Sequence, residues 1–266
     1  MRCRLTRSFG LLGVLLALPG HLSAESRGGW PRSTEGFVDL FVGAAMTQDA
    51  DVEVRNLTIF GSPPISFRVR DLSFETSFMG GERVGFWWDF VGANLDLSYF
   101  RPDPHASGHT RLELPPGLPS NVDRDLVLKA LQMAESDLHV VGIGLNAMLR
   151  AQFFSDTAVP QGHLQPYVFA GPTMFVSILT LEAKETLLGG TQKYSDTDLN
   201  VGLGFTAGAG LTYMFTKSFG LFAEYRFTYQ QPEFDLTLTG PAGRVSGSLR
   251  GTLETHYALG GATFRF

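Results

Sequence analysis

Asp39, Arg83, Asp96, Glu224 and Arg226 interrupt segments that are otherwise built from alternating apolar and small residues. In an alternating segment these five share the non-apolar parity, so folding would bring them onto one face. Two chemistries are open to such a set, a proton or ion path with a gate, or a satisfied polar core. Pairing is expected in either case, because an unpaired buried charge is strongly destabilising. The histidines offer less. His105 and His109 lie four apart beside Asp103, a spacing that could bind metal on a helix, but Pro104 and Gly108 oppose a helix there. A solvated loop is the expectation over weak loop coordination. No metal site is assigned. Gly202, Gly204 and Gly208 superficially resemble a nucleotide loop, but the spacing is wrong and the segment is alternating. No cofactor is expected.

The elements that would position the five charges read as strands. From Leu199 to Phe215 one parity is Leu199, Val201, Leu203, Phe205, Ala207, Ala209, Leu211, Tyr213 and Phe215, while the other is glycine and small polar residues apart from Met214. A helix would mix the two sets around its circumference. Similar alternation marks 92–100, 139–149 and 220–230, and weaker strands are expected at 36–46, 71–87, 166–180 and 252–266. That makes eight. The connections alternate in length, with long polar loops at 47–70, 102–137, 181–197 and 231–251 and short turns between them. The turn at 152–165 is longer than this rule prefers. Within 102–137, Asn121–Met133 is either a short helix or the outer end of the fourth strand.

The first 24 residues stand apart. Arg2, Arg4 and Arg7 precede an apolar run at 9–18, and small residues follow at Ser23 and Ala24. This is the layout of a secretory signal peptide, with cleavage expected after Ala24; an uncleaved anchor is the alternative. The run is too short to span a bilayer as a helix, which takes about 20 residues. Residues 25–35 would form a short periplasmic segment and 36–266 the folded domain. Cys3, the single cysteine, lies in the leader, so the mature chain has neither disulfide nor thiolate chemistry. The whole chain carries net charge −5, and losing three arginines makes the remainder more acidic. Nucleic acid, which calls for a concentrated basic face, is not an expected partner.

Eight alternating strands behind a leader fit two opposite barrels. A soluble ligand-binding barrel turns its apolar face inward, and a membrane barrel turns it outward onto lipid. The content of the non-apolar face decides for the membrane. It is rich in Gly, Asn, Ser and Thr, where a solvated sheet would carry Lys and Glu throughout. A repeated row of strand glycines implies crowding inside a narrow lumen. The aromatics Phe86, Trp87, Trp88, Phe90, Tyr99, Phe100, Tyr213, Phe215 and Phe219 fall near strand ends, where membrane barrels carry interfacial girdles.

The closing strand, Tyr257-Ala-Leu-Gly-Gly-Ala-Thr-Phe264-Arg265-Phe266, has alternate aromatics and a terminal Phe. With Gly81-Glu-Arg-Val-Gly-Phe-Trp87, Leu95-Asp-Leu-Ser-Tyr-Phe100, Gln165-Pro-Tyr-Val168 and Gly220-Leu-Phe-Ala-Glu-Tyr-Arg-Phe227, it resembles the bacterial outer-membrane β-barrel family of the opacity-protein and OmpA/OmpX-like type. The resemblance covers 36–266. It implies an all-β, eight-stranded antiparallel up-and-down barrel in the outer membrane of a Gram-negative-type bacterium. It also implies that Phe264 and Phe266 signal to the barrel-assembly machinery. One feature departs from the pattern. Counting back in twos from Phe266 gives Phe264, Ala262, Gly260, Ala258 and His256, a weak lipid face, and a bulge at Gly260–Gly261 would turn Leu259 and Tyr257 outward.

Some small outer-membrane barrels hydrolyse lipids with a histidine on the last strand, where His256 stands. That chemistry needs a serine at the position of Ala258. His139 and Ser136 lack a complete acid–base–nucleophile set, and no Gly-x-Ser-x-Gly elbow occurs. No catalytic residue is assigned. The expectation is a structural or surface-interaction protein, in contact with outer-membrane lipid and with an extracellular ligand at its loops. A narrow solute channel and a lipid hydrolase are the alternatives.

Overall fold

The computed structural model describes residues 34–59, 64–105, 110–113, 135–187, 190–240 and 243–266. The first seven strands are β1 (Thr34–Thr47), β2 (Ala50–Ile59), β3 (Ile65–Glu75), β4 (Ser77–Trp88), β5 (Val91–Phe100), β6 (Asp103–His105) and β7 (Arg111–Glu113). The remainder are β8 (Glu135–Arg150), β9 (Leu164–Leu187), β10 (Gly190–Met214), β11 (Phe219–Gln230), β12 (Glu233–Gly240), β13 (Gly243–Gly251) and β14 (Leu253–Arg265). The expected signal-peptide cleavage and the 121–133 segment lie outside the described residues.

Eight of these strands close into an antiparallel barrel in the order β1-β14-β11-β10-β9-β8-β5-β4. Each strand neighbours the one before and after it among the eight, which is an up-and-down barrel. Its two faces separate as the alternation requires. Leu203 is 82% exposed on the outside of β10, and Leu199, Val201, Phe205, Leu211 and Tyr213 share that face, while Thr206, Thr212 and Met214 are buried inside. The outside is therefore an apolar band and the inside a filled polar-aromatic core. An inverted barrel of this kind is what lipid requires.

The lumen glycines act as seats for rings. A Cβ on Gly208 would stand 2.5 Å from the ring of Phe169, and one on Gly210 would stand 2.5 Å from the Tyr167 ring. These glycines pair directly across the β9–β10 seam with those aromatics. A strand glycine weakens the strand, and here the loss is offset by the ring that fills each pit.

Four sequence expectations are corrected. The segment 71–87 is not one strand, because β3 ends at Glu75 and β4 begins at Ser77, with Asp71 at a positive φ of 56°. The polar stretches 47–70 and 231–251 are not loops. They form most of a second sheet, ordered β12-β13-β2-β3-β6, with β7 also pairing β3. The described residues of 181–197, namely 181–187 and 190–197, are strand too, since β9 and β10 stay paired out to Leu187 and Gly190. The bulge at Gly260–Gly261 is absent. Both ladders of β14 run in unbroken register, so Tyr257 and Leu259 point into the lumen and are buried. Tyr257 is held there by Thr228, 3.0 Å from its hydroxyl, and by an edge-on contact with Phe100.

The second sheet is amphipathic across its strands as well as along them. Glu233, Arg250, Glu53, Arg68 and Glu113 stand in one continuous cross-strand row of alternating charge. The next row on the opposite face is Phe234, Leu249, Val54 and Phe67. Opposite charges directly across a ladder favour that register and like charges oppose a slipped one. Phe234 and Leu249 join the cluster formed by Phe41, Phe100, Phe175, Tyr257 and Leu253. The apolar face of this sheet is thus continuous with the barrel core.

Candidate functional site

The strands bring Asp39, Arg83, Asp96, Glu224 and Arg226 together in the lumen, every one of them buried. Asp39 and Arg83 face each other across the β1–β4 pair, and Arg83 faces Asp96 across β4–β5. Glu224 and Arg226 reach them from β11. Arg83 donates through Nε to Asp96 at 3.2 Å and through Nη2 to both Glu224 oxygens at 2.9 and 2.8 Å. Arg226 grips Asp96 with two parallel bonds of 2.9 Å and donates to Glu224 at 3.0 and 3.1 Å. Asp39 completes the set, 3.5 Å from Arg83 Nη1. Forked guanidinium–carboxylate bonds of this sort fix geometry in a way a lysine would not.

The aromatic seats enclose the charges. Phe169 lies 4.9 Å from the Arg83 guanidinium and Phe41 lies 4.8 Å from that of Arg226, within cation–π range. The Tyr167 hydroxyl donates to Glu224 at 2.6 Å. Tyr167, Phe41 and Phe169 were not singled out in the sequence as lumen residues, although each has the parity of the buried face.

A second polar tier lies at the end of the barrel where the short turns gather, and the sequence reading missed it. Glu35 receives Arg150 at 2.8 Å and Arg265 at 3.3 Å. Gln165 accepts from both arginines, at 3.1 and 2.7 Å, and its amide donates to the carbonyls of Gln161 and Gly162. The central tier has three carboxylates against two guanidinium groups, and this tier has one against two. The imbalances oppose each other, so the lumen is balanced along its length. The signal was available, since Glu35 and Arg265 share the parity of Asp39 on directly paired strands. Glu35 falls in the segment 25–35 expected to lie ahead of the first strand, whereas β1 begins at Thr34 and carries it into the lumen.

The long turn at 151–163 belongs to this tier. Asp156 Oδ1 accepts from the backbone of Ala158 and Val159 at 2.9 and 2.6 Å, and Val159 is buried. His163 Nδ1 meets the Met214 carbonyl at 2.7 Å, and its Nε2 meets Asp156 at 3.1 Å. Both ring nitrogens face acceptors, so the protonated imidazole satisfies both. These bonds raise the pKa of His163 above its ordinary value and lower that of Asp156.

The other candidates are dispersed. His256 is on the outer face of β14, bonded to Tyr225 at 2.5 Å and to Gln48 at 2.6 Å. Its neighbour two residues on is Ala258, exposed on the same outer face. His139 is outside on β8, bonded to Tyr99 at 2.7 Å. Asp103 and His105 lie in the three-residue β6, and His109 is outside the described residues. Among the described residues no group of three His, Cys, Asp or Glu could hold a metal ion. Phe264 and Phe266 are outward and exposed. Of the expected girdle, Phe86, Trp88, Phe90, Tyr99, Tyr213, Phe215 and Phe219 face out, whereas Trp87 and Phe100 are buried in the lumen. Trp87 has the lumen parity of Arg83 on β4, and its ring lies 4.7 Å from the Arg150 guanidinium.

No protein-family model matches the chain, and no curated protein matches it. Among solved structures, the outer membrane protein OprG from Pseudomonas aeruginosa aligns at 14% identity with a TM-score of 0.50, over 87% of this chain and 95% of that one. The fold is that of a small outer-membrane β-barrel. Neisserial surface protein A (NspA) aligns at 14% identity, TM-score 0.35, over 87% and 97% of the two chains. The attachment invasion locus protein Ail of Yersinia pestis aligns at 11% identity, TM-score 0.33, over 87% and 99%. At 14% identity the likeness to OprG speaks for the fold and not for an activity.

Proposed function

We propose that the chain is a non-enzymatic outer-membrane surface protein whose working part is the second sheet, carried on a barrel that is closed along its axis. One observation carries the reading: the lumen is filled in consecutive tiers. The Glu35–Arg150–Arg265–Gln165 tier is followed by the Arg83–Asp96–Glu224–Arg226 tier. Above these, Met79, Phe100, Val140, Phe175 and Tyr257 are buried to within 1% of complete burial. Eight strands leave a bore that side chains can fill, and these do. A conduit would need a continuous polar path, which the apolar tier interrupts.

With the chain ends and short turns on the periplasmic side, the second sheet stands outside the cell. Its charged row, with Glu233, Arg250, Arg68 and Glu113 exposed, faces away from the barrel core. A framework of paired strands presents side chains at fixed spacing, as a recognition surface requires. The outer membrane, reached after cleavage of the leader, is the location this reading implies. Phe264 and Phe266 then serve the assembly machinery, and outer-membrane lipid covers the apolar band.

The test replaces 232–251 by a two-residue turn in the full chain. The barrel is expected to insert and to retain a gel band that shifts on boiling, while cell-surface binding by the protein is lost. Retention of that binding without β12 and β13 would count against the sheet as the working part.

A further inference from the structure

Backbone strain singles out one residue of the long turn at 151–163. Among the described residues four besides glycine have positive φ, namely Asn56 at 51°, Asp71 at 56°, Asp89 at 53° and Phe154 at 59°. Asn and Asp tolerate this left-handed conformation because their short side chains bond locally, whereas for a bulky residue it is an outlier. The same turn places a glycine at its other left-handed position, Gly162 at 89°. At Phe154 it keeps an aromatic ring in a conformation that opposes it.

Packing within the chain does not account for that ring, which is 74% exposed. In an extended strand the residue after an outward Phe153 would turn toward the lumen. The other half of the turn is held there instead. Gln165 donates to the carbonyls of Gln161 and Gly162, and Val159 is buried. The left-handed residue ends the extended run and leaves two consecutive rings exposed, Phe153 at 49%. Strain of this kind persists where something over-determines it, and such places cluster at contact sites.

Both rings border the lipid-facing band. Phe153 pairs with Leu164, and Leu164 pairs with Tyr213, so these three share one outward row at the short-turn ends of their strands. Leu145 and Leu149, earlier on the same strand, have the parity of Phe153 and are exposed. On the other flank, Arg150 Nε and Gln152 Nε2 donate to the Asp89 carbonyl at 2.7 and 3.1 Å. These bonds tie the turn to the β4–β5 corner, which carries exposed Trp88 and Phe90. The patch is therefore continuous with the aromatic girdle on both sides.

We propose that Phe153 and Phe154 dock the 151–163 turn onto the membrane leaflet at the short-turn end of the barrel, with phospholipid as the occupant of the patch. Aromatic rings are favoured at that depth, where the ring meets lipid and the backbone stays in water. The charged groups of the turn are Asp156 and His163, and they face each other. The contact is therefore made by rings and not by attraction to anionic headgroups. Burial of the Phe154 ring in lipid offsets the strain at its backbone and clamps a turn whose other half closes the base of the lumen. This gives the length of the turn a role. The proposal rests on the membrane reading of the barrel and goes beyond the role of the second sheet.

The test is nitroxide labelling of the full chain, with Cys3→Ser, refolded into phosphatidylcholine vesicles. Line broadening by oxygen, which concentrates in lipid, is compared with broadening by a water-soluble nickel chelate. A label at Phe154→Cys is expected to respond more to oxygen, and one at Thr157→Cys, also exposed, more to nickel. A second comparison carries the label at Ser155→Cys, with and without Phe154→Asn, which puts a residue type tolerant of positive φ at that position. Losing the ring should lower the oxygen-to-nickel ratio at 155 by about threefold, and this comparison decides if Phe154→Cys loses the heat-shifted band. A nickel-dominated label at 154, or a ratio at 155 unmoved by Phe154→Asn, in protein that shows the band, overturns the docking and leaves the membrane reading intact. Loss of the band in the Cys3→Ser parent overturns the membrane reading and the docking with it.

Discussion

At the scale of single residues, Arg83 has the most partners to lose. It bonds to Asp96 and Glu224, stands beside Asp39, and lies over three aromatic rings. Arg83→Ala leaves uncompensated buried carboxylates and is expected to destabilise the barrel by about 3–5 kcal/mol in denaturant unfolding from lipid vesicles. Gly208→Leu drives a side chain into the Phe169 ring and is expected to cost about 1–3 kcal/mol, whereas Gly260→Ala should change folding stability by less than about 0.5 kcal/mol. The contrast was half legible in the sequence. Parity put both glycines on strands and the glycine row implied a crowded lumen, but which ring fills which pit depends on the pairing register of β9 with β10. The five charges were legible because parity alone assigns them to one face. Their mutual bonds were not, because they depend on strands distant in the chain.

At the scale of elements, the turn at 151–163 is locked by His163 against Asp156 and the Met214 carbonyl. The raised pKa of His163 means that its contribution is complete below the unfolded value of about 6.5 and is lost as pH rises through the higher folded value. The lowered pKa of Asp156 means that its contribution is complete above about 3.9 and is lost as pH falls through the lower folded value. Protection of the amides in this turn, taken relative to the intrinsic exchange rate at each pH, should therefore be greatest between about pH 4 and 6.5 and should fall on either side. Asp156→Asn should flatten the acid limb. In the second sheet, Glu53→Lys places a third cation between Arg250 and Arg68, so proteolysis within β2 and β13 should accelerate while the barrel band stays heat-shifted. The sequence showed these segments only as polar stretches. Their short runs mix both parities, and Asn56 and Asp71 break the alternation with positive φ. The charged row becomes visible only when the strands are laid side by side.

At the scale of the whole molecule, the barrel was readable because eight long alternating segments repeat one message, apolar on one parity and small on the other. The second sheet was not, since nothing in polar connections of this length separates a solvated loop from a paired ribbon. Its inner face, through Phe234 and Leu249, continues the core that fills the barrel, so the two sheets act together to shut the axis. The most direct measurement of that closure is single-channel recording in planar bilayers, using protein whose insertion is established by its heat-shifted band. The tiered lumen predicts no steady current above the bare membrane at any applied voltage. A stable, reproducible open-channel current from the unmodified chain would contradict a closed barrel and return the molecule to the class of conduits.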